Sequence, residues 1–283
     1  MLLEMDHVKK SYKDFSLDCS LQVIEGRITG LIGANGAGKS TAFKAILNLI
    51  RTEGGTVRIL GKNGQKLPST DREHIGVVLA GSSFSGYLYL RDLPGIMKRL
   101  YRNFDEPRFL EQCRHFSLPM DKRIKELSTG MTAKLKVLLA MSYGADLLLL
   151  DEPTSGLDVV ARDEILDLFR EYMEKEGRGI LISSHISTDL ENLCDDVYMI
   201  DHGRVILHED TDILLDRYGV LKVSEETAKT LDKSYLLRRQ KESFGYSFLT
   251  NQIEYYRENY PSLVQEKCSI DEVITMMVKG EAL

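Results

Sequence analysis

The 283-residue sequence contains no tryptophan, few prolines and few cysteines. Its cysteines are too far apart to predict a metal site or a disulfide framework, so we expect a reducing, cytoplasmic environment; they are Cys19, Cys113, Cys194 and Cys268. Positive charge is not in excess either, because 37 Lys and Arg against 43 Asp and Glu give a net charge of −6. This mildly acidic balance disfavours nucleic acid as a partner.

A long hydrophobic run is also absent. The longest near-apolar stretch, residues 137–150, is interrupted by Asp146 and falls short of the roughly 20 residues that a membrane-spanning helix needs. The opening residues, MLLEMDHVKK, place acids among apolar residues and show no signal-peptide core. Any role at a membrane is therefore expected to be that of a peripheral partner.

The sequence does contain a regular alternation of strands and helices. Apolar residues recur at every second position over 15–23, which predicts a half-buried antiparallel strand. Wholly apolar runs at 147–150 and 179–184 predict strands buried on both faces of a parallel sheet. Other strands are predicted over 27–32, 56–60, 75–79, 197–200 and 205–207, and helices from Lys39 and over 94–101, 106–115, 131–140 and 161–175. This order predicts an α/β fold with antiparallel strands added at its N-terminal side.

The character of the sequence changes near residue 218, where we predict a domain boundary. Residues 1–218 are expected to form one domain, with a helical subdomain at about 84–146. Residues 219–283 hold five tyrosines and dense charge without a catalytic pattern, and are expected to form a small accessory domain. The last helix of that domain is marked by the capping-box spacing of Ser269 and Glu272.

The strongest motif is a glycine-rich turn between a predicted strand and a predicted helix. It reads GANGAGKS and fits the pattern G-x-x-x-x-G-K-[ST]. Glycines let the backbone wrap a phosphate chain, so that amide N–H groups and the helix start point at anionic oxygens. Lys39 can reach the β- and γ-phosphates, and the Ser40 hydroxyl can bind Mg²⁺. The predicted binding residues are Gly33, Ala34, Asn35, Gly36, Ala37, Gly38, Lys39, Ser40 and Thr41.

Two acids, Asp151 and Glu152, follow the buried apolar strand at 147–150. The carboxyl end of such a strand lies at the edge of the sheet where phosphate ligands bind. We expect Asp151 to hold the shell of a Mg²⁺ ion and Glu152 to polarise the attacking water. Taken alone, the same two residues are also typical of a strand that ends at solvent.

A second anion site is predicted at the start of the helix over 131–140. Ser128 can cap this helix, and Gly130 exposes an amide in its first turn, so the helix start favours a negative charge. A simple N-cap explains the same residues equally well. The presence of two anion-binding helix starts in one chain favours a nucleotide held from two sides.

These motifs, with three others, occur in the order found in ATP-binding cassette (ABC) proteins, and the chain resembles their ATP-hydrolysing subunit over about residues 3–210. GANGAGKS is similar to the Walker A loop, LLLLDE to the Walker B strand and LSTGM to the family signature, which usually reads LSGGQ. SGLD, which ends at Asp158, is similar to the D-loop that links the two sites of a dimer. His185 in SSHI is similar to the switch histidine, and Tyr12 in KKSYKDF to the aromatic residue that stacks on adenine.

The resemblance implies a P-loop NTPase fold, with a RecA-like mixed sheet, an antiparallel β subdomain and an α-helical subdomain, followed here by a small α+β extension. It implies ATP and Mg²⁺ as cofactors, with Ser40 and Asp151 at the metal and Glu152 and His185 in hydrolysis. It further implies that two subunits pair head to tail, with each ATP between the Walker A loop of one and Ser128 of the other.

One position departs from the family pattern. The family usually places Gln, sometimes Glu, after the strand that corresponds to residues 75–79, where it helps to bind Mg²⁺ and reports to the partner. This chain has Ala80 there, followed by Ser82 and Ser83. A methyl group cannot bind a metal, so either water or one of the two serines substitutes, or the coupling to the partner is altered.

The resemblance is strongest to bacterial exporters whose ATPase is a separate chain from the membrane subunit, such as the bacitracin-type and toxin-peptide exporters. It implies a transmembrane permease and a second ATP-binding subunit as partners, with a homodimer favoured, at the cytoplasmic face of the membrane. The permease is expected to enter a groove beside the helical subdomain; its candidate lining residues, for which core packing is the alternative, are Phe84, Tyr87, Leu88 and Tyr89.

Two other functions are compatible with parts of the pattern. A soluble ABC ATPase could act on DNA, ribosomes or iron–sulfur assembly, but the chain has only one cassette and no long coiled-coil insertion. An unrelated P-loop kinase or GTPase would leave LSTGM and His185 unexplained.

Overall fold

The structure, a computed structural model, describes residues 1–81 and 84–283. Within these ranges, ten strands form one mixed sheet and five form a second, antiparallel sheet. No helix in the described part of the chain combines the length and the apolar character that a membrane crossing requires.

The first sheet carries the predicted α/β fold. Its strands are β1 (Leu3–Ser11), β2 (Ser16–Val23), β3 (Ile28–Ile32), β4 (Gly54–Ile59), β5 (Lys62–Asn63), β6 (Ile75–Val78), β7 (Leu147–Asp151), β8 (Gly179–Ser184), β9 (Asp196–Asp201) and β10 (Arg204–Asp210). Their spatial order is β5-β4-β1-β2-β10-β9-β3-β8-β7-β6. Strands β9, β3, β8, β7 and β6 run parallel, whereas β1 pairs antiparallel with β2 and β4. Both the parallel centre and the antiparallel strands at the N-terminal side are as predicted.

The helices up to residue 218 are α1 (Lys39–Ile46), α2 (Ser69–Arg72), α3 (Leu93–Leu100), α4 (Glu106–His115), α5 (Thr129–Met141), α6 (Val159–Met173), α7 (Ser187–Leu193) and α8 (Thr211–Arg217). Of these, α1, α3, α4, α5 and α6 lie close to the predicted positions, whereas the short helices α2, α7 and α8 are absent from the sequence prediction. Helix α1 begins at Lys39 and α4 has the predicted bounds, while α6 lies two residues nearer the N-terminus than predicted. Helices α3 to α5 lie between β6 and β7, in the segment predicted to be a helical subdomain.

Strand β1 is absent from the sequence prediction, and a β-bulge explains why. Leu3 and Met5 are buried two residues apart, but the next buried residue is Val8, so the alternation breaks. The pairing of β1 with β2 shifts register between Met5 and Val8, and His7 has a positive φ of 44°. The extra residue removes the period of two that marks a half-buried strand.

The second sheet lies in the last 65 residues, for which the sequence predicts a mixed α+β unit. Its strands are β11 (Gly219–Val223), β12 (Leu236–Glu242), β13 (Gly245–Thr250), β14 (Val264–Lys267) and β15 (Glu281–Ala282), accompanied by α9 (Thr227–Thr230), α10 (Ile253–Asn259) and α11 (Ile270–Lys279). The capping box of α11 is confirmed, because the Ser269 hydroxyl accepts from Glu272 N–H and the Glu272 carboxylate accepts from Ser269 N–H.

The second sheet has a small core of its own and also shares a core with the first part of the chain. Leu221 and Phe248 pack within the small core. Ile270 and Val273 of α11 instead belong to the same buried cluster as Leu190 of α7. The domain boundary at residue 218 stays a prediction, and this shared cluster crosses it.

Candidate nucleotide-binding site

A cavity of about 890 Å³ lies at the carboxyl ends of the parallel strands β3, β6, β7 and β8. Its walls come from residues within 34–41 after β3, 78–81 at the end of β6 and 151–155 at the end of β7, together with His185 after β8. Phe15 and five residues within 127–136, at the start of α5, complete the lining. The carboxyl ends of parallel strands are where open α/β sheets bind their ligands. The sequence prediction that the glycine-rich turn and the acid pair share one site is therefore met by the topology.

Two glycines of the turn have steric reasons to be glycine. Gly38, the residue before α1, has a φ of 116°, and a Cβ added there would lie 2.9 Å from Cζ of Phe15. A Cβ added at Gly33 would lie 2.2 Å from the carbonyl oxygen of Ile200. A side chain at either position would displace the loop. Of the nine predicted binding residues, Gly33 and Ala37 are buried outside the cavity lining, and the other seven line the cavity.

Lys39 links the loop to the acid pair. The side chain is only 6% exposed, and its Nζ donates to the Gly33 carbonyl oxygen at 2.7 Å. The same Nζ lies 3.3 Å from Oε1 of Glu152. This ion pair joins the start of α1 to the end of β7, and it places a buried cation where the sequence predicts a phosphate contact.

Asp151 is held in place by a serine that the sequence analysis did not select. Asp151 is 2% exposed, and its Oδ1 accepts a hydrogen bond from the Ser183 hydroxyl at 2.8 Å. The Ser183 Oγ in turn accepts from the Glu152 N–H at 3.0 Å. The signal that could have identified Ser183 is the parallel register of β7 and β8, which places it opposite Asp151.

Glu152 and His185, the two residues predicted to act in hydrolysis, are in contact. Oε2 of Glu152 lies 2.5 Å from Nδ1 of His185 and 3.3 Å from its backbone nitrogen. Glu152 also has a positive φ of 53°, a conformation that costs a non-glycine residue on the order of 1–3 kcal/mol. The left-handed turn directs the chain sharply away from β7, and the acid faces the cavity with Lys39 on one side and His185 on the other.

The loop after Glu152 is anchored to α7 by a buried hydrogen bond. The Thr154 hydroxyl donates to Oδ2 of Asp189 at 2.7 Å. Burial raises the pKa of Asp189, while the Thr154 hydrogen bond and the Arg162 guanidinium, 3.7 Å away, act in the opposite direction. The loop that follows Asp151 and Glu152 is therefore held in place by α7.

Tyr12, the residue predicted to stack on adenine, does not line the cavity, but a neighbouring aromatic residue does. Tyr12 is 48% exposed and lies outside the lining, whereas Phe15 lines the cavity next to Gly38. The two rings are neighbours, with centroids 6.3 Å apart. The adenine-stacking role of Tyr12 stays a prediction, and Phe15 is an additional aromatic candidate that the sequence analysis placed only in a strand.

Ser128, Gly130 and Asp158 lie outside the cavity lining, at two adjacent helix starts. The Ser128 hydroxyl accepts from the Met131 N–H at 3.2 Å, so the predicted N-cap of α5 is confirmed. Asp158 caps α6 in the same way, accepting from the N–H of Ala161 at 2.9 Å. A Cβ added to Gly130 would lie 3.5 Å from that of Ala161, so the two helix starts are in contact. We call this surface the α5–α6 face.

The position that departs from the family pattern faces the site. Ala80 and Gly81 line the same cavity as the acid pair. The alternative ligands named from the sequence, Ser82 and Ser83, lie outside the described residues.

The donors around the cavity fit a Mg²⁺ ion that is shared with phosphates. Ser40 and Asp151 both line the cavity and offer a hydroxyl and a carboxylate oxygen, which are ligands that Mg²⁺ accepts. Within residues 1–81 and 84–283, no three His, Cys, Asp or Glu side chains gather as a metal site. Mg²⁺ usually takes one or two protein ligands and keeps waters and substrate phosphates for the rest, so this donor set is compatible with it.

The sheet topology, the phosphate-binding turn and the acids at the end of β7 define a P-loop nucleotide-binding protein. Comparison with known proteins narrows this class. The sequence model of the family described as ABC transporter matches residues 17–155. The chain is 31% identical over 210 residues to the ABC transporter ATP-binding protein YtrB of Bacillus subtilis, covering 74% of this chain and 72% of that protein. It therefore belongs to the family of ABC transporter ATP-binding proteins, and its enzymatic class is that of an ATPase.

Two further similarities agree with this assignment. The bacitracin transport ATP-binding protein BcrA of Enterococcus faecalis is 29% identical over 243 residues, which cover 83% of this chain and 79% of that protein. A solved structure described as the ATP-binding subunit of an ABC transporter aligns with a TM-score of 0.68 and 28% identity, covering 76% of this chain and 92% of that one. The resemblance and the fold class stated from the sequence are both confirmed.

Proposed function

We propose that this chain is the ATP-hydrolysing subunit of an exporter whose membrane-spanning part is a separate chain, and that two copies close around ATP to drive it. The observation that carries this proposal is the division of the predicted site. The loop, the acids and His185 line the cavity, whereas Ser128, Gly130 and Asp158 lie outside it on the α5–α6 face. Leu127 and Thr129, on either side of Ser128, do reach the cavity of the same chain, and we infer that a second copy presents its α5–α6 face to the nucleotide bound there.

The α5–α6 face has the properties expected of a surface that a second copy covers. Ser128 is exposed and Gly130 is half-buried at the start of α5. Beside them at the start of α6, Val159 and Val160 are 67% and 70% exposed. Two neighbouring apolar side chains beside an unneutralised helix start favour contact with a partner that carries an anion. A head-to-tail homodimer supplies that anion as the ATP phosphates.

Within one copy, we assign roles in binding and hydrolysis to five residues of the cavity. Lys39 and the amides of the turn would hold the phosphates, with Ser40 and Asp151 at the metal. A bound Mg²⁺ would neutralise charge on the phosphate oxygens. Glu152 would orient and polarise the attacking water, and His185, which contacts the Glu152 carboxylate, would keep that carboxylate directed at the γ-phosphate.

The membrane partner is proposed to bind beside α3. An apolar cavity of about 220 Å³ lies between β6, α3 and α5, and Phe84 and Leu100 at its walls are 37% and 62% exposed. Of the other candidates from the sequence, Tyr87 is 73% exposed, and Leu88 and Tyr89 are half-buried. An open apolar cavity suits the apolar face of a short helix.

The proposed cargo is an amphipathic peptide or antibiotic. This part of the proposal is supported by the relative BcrA, which is named a bacitracin transport protein.

Copurification tests this proposal. The tagged chain, extracted in mild detergent from the cells that produce it, is expected to bring down a polytopic membrane protein. The variant Leu100→Asp is expected to lose that protein while it still binds ATP, because Leu100 is exposed and lies outside the nucleotide cavity. A fully active soluble dimer without a membrane companion would overturn the proposal, and it would favour a soluble ABC ATPase.

Ala80 provides a prediction about the rate of hydrolysis. We expect Ala80→Gln to raise the turnover of ATP several-fold, because an amide oxygen at this wall of the cavity can approach the metal and the attacking water, and a methyl group cannot. Turnover is measured as phosphate release at saturating ATP. The matched control is Ala80→Met, which has a similar size and no oxygen. Equal rates for wild type and Ala80→Gln would show that the missing amide does not limit this enzyme.

A further inference from the structure

Helix α5 presents one continuous stripe of residues to the nucleotide cavity. Thr129, Thr132, Ala133 and Lys136 all line it, with spacings of three, one and three residues. These spacings place them on a single face of a helix. The stripe begins next to Ser128, and its far end, Lys136, is the second lysine of the cavity besides Lys39.

The two lysines of the cavity differ in their surroundings. Lys39 is paired with Glu152 at 3.3 Å. Lys136 has no ion pair and no side-chain hydrogen bond with any residue in 1–81 or 84–283, although it is half-buried. Burial lowers the pKa of the Lys136 ammonium, as expected for a cation that is partly removed from water without a compensating acid. A charged group in this position gains from an anion in the same cavity.

Lys136 also stands at the junction between two cavities. It lines both the nucleotide cavity and the apolar cavity beside α3, and Val78 at the end of β6 is the other residue that the two linings share. A long apolar stem with a charged end suits such a junction. Ala80, two residues beyond Val78, lines the nucleotide cavity and offers no polar side-chain atom.

We propose that Lys136 binds the terminal phosphate of ATP held by the Walker A loop of the same chain. The inference rests on the proposed function and deepens it. Lys39 belongs to α1, whereas Lys136 belongs to α5, the helix that Ser128 caps. A phosphate bound by both lysines connects the loop to α5, and ADP, which lacks that phosphate, does not.

Equilibrium binding of ATP and of ADP to the full-length chain tests the inference. The variant Lys136→Met removes the charge and keeps most of the stem. Because a hydrogen bond to a charged group is worth about 1.5–3 kcal/mol, the Kd for ATP is expected to rise about tenfold or more, while the Kd for ADP stays within about twofold. Both constants are measured by titration calorimetry in the presence of Mg²⁺ at a temperature where hydrolysis is negligible.

Two variants act as controls. Lys134→Met makes the same charge change on the same helix, but Lys134 pairs with Glu164 on α6 and lies outside the cavity, so both Kd values are expected to stay at the wild-type level. Lys136→Arg retains the charge and is expected to keep the preference for ATP. Thermal unfolding of each variant confirms that the chain is folded.

The outcomes separate this inference from the proposed function. Wild-type Kd values for both ATP and ADP in folded Lys136→Met would overturn the role of Lys136 and leave the exporter proposal standing. Equal weakening of ATP and ADP would also overturn it, because the contact would then not be specific to the terminal phosphate. If no membrane protein copurified with the wild type, while Lys136→Met still weakened ATP more than ADP, only the exporter proposal would be overturned.

Discussion

The variant Glu152→Gln is expected to hydrolyse ATP about 10²–10⁴-fold more slowly than the wild type, the range that a general base contributes. The glutamine has nearly the same shape, so it can keep a hydrogen bond with His185, whose Nδ1 lies 2.5 Å from the carboxylate. It loses the negative charge that polarises water. Lys39 and Asp151 are unchanged, and binding of ATP with Mg²⁺ is therefore expected to persist.

A stable dimer is the second expected property of Glu152→Gln. If ATP joins the two copies and hydrolysis separates them, a variant that binds without hydrolysing accumulates as the dimer. Size-exclusion chromatography with light scattering, with and without ATP, measures this directly. Glu176→Gln, at an exposed position on the loop before β8, makes the same chemical change and is expected to behave like the wild type. Hydrolysis by Glu152→Gln at the normal rate would contradict the assignment of Glu152.

Lys39→Ala is expected to weaken the binding of both ATP and ADP by about 10–100-fold, because charge-assisted phosphate contacts are worth about 1.5–3 kcal/mol each. The variant also leaves the Glu152 carboxylate, 3.3 Å from Nζ in the wild type, without its cation. That carboxylate then repels the phosphates. Titration calorimetry with each nucleotide measures the change, and the loss for ADP distinguishes Lys39 from Lys136.

The chain offers a close control for this experiment. Lys44 lies on the same helix, α1, but it is exposed and outside the cavity. Lys44→Ala is therefore expected to bind both nucleotides as the wild type does. Wild-type affinity in Lys39→Ala would refute a direct phosphate contact by Lys39.

The parts of the site that are local in sequence could be predicted from it. Glycine, lysine and serine spacing fixes the turn, and α1 begins at Lys39 as expected. The N-cap at Ser128 and the capping box at Ser269 are also local, since donor and acceptor lie three residues apart. The buried strands β7 and β8 are apolar on both faces, which marks them as the centre of a parallel sheet.

Contacts between segments that are distant in the sequence could not be predicted from it. The pairing of Ser183 with Asp151 depends on the register of two strands that are separated by α6. The cavity contact of Lys136 depends on the rotation of α5 about its axis, which is set by its packing on β6. Strand β1 was missed because a bulge at His7 breaks its alternation, and β12 because its sequence, LLRRQKE, is mostly charged. Each of these features is decided by tertiary packing rather than by local propensity.

The buried cluster shared by α11 and α7 limits how the residues after 218 can be removed or exchanged. The N–H of Ile270 donates to Oε1 of Glu191, and α7 starts only two residues after His185. A truncation at residue 218 would remove apolar cover from the helix that follows His185, and the shortened chain would be prone to aggregate. Chimeras that exchange this tail between relatives would consequently need a matching α7, so tail and helix are best transplanted together.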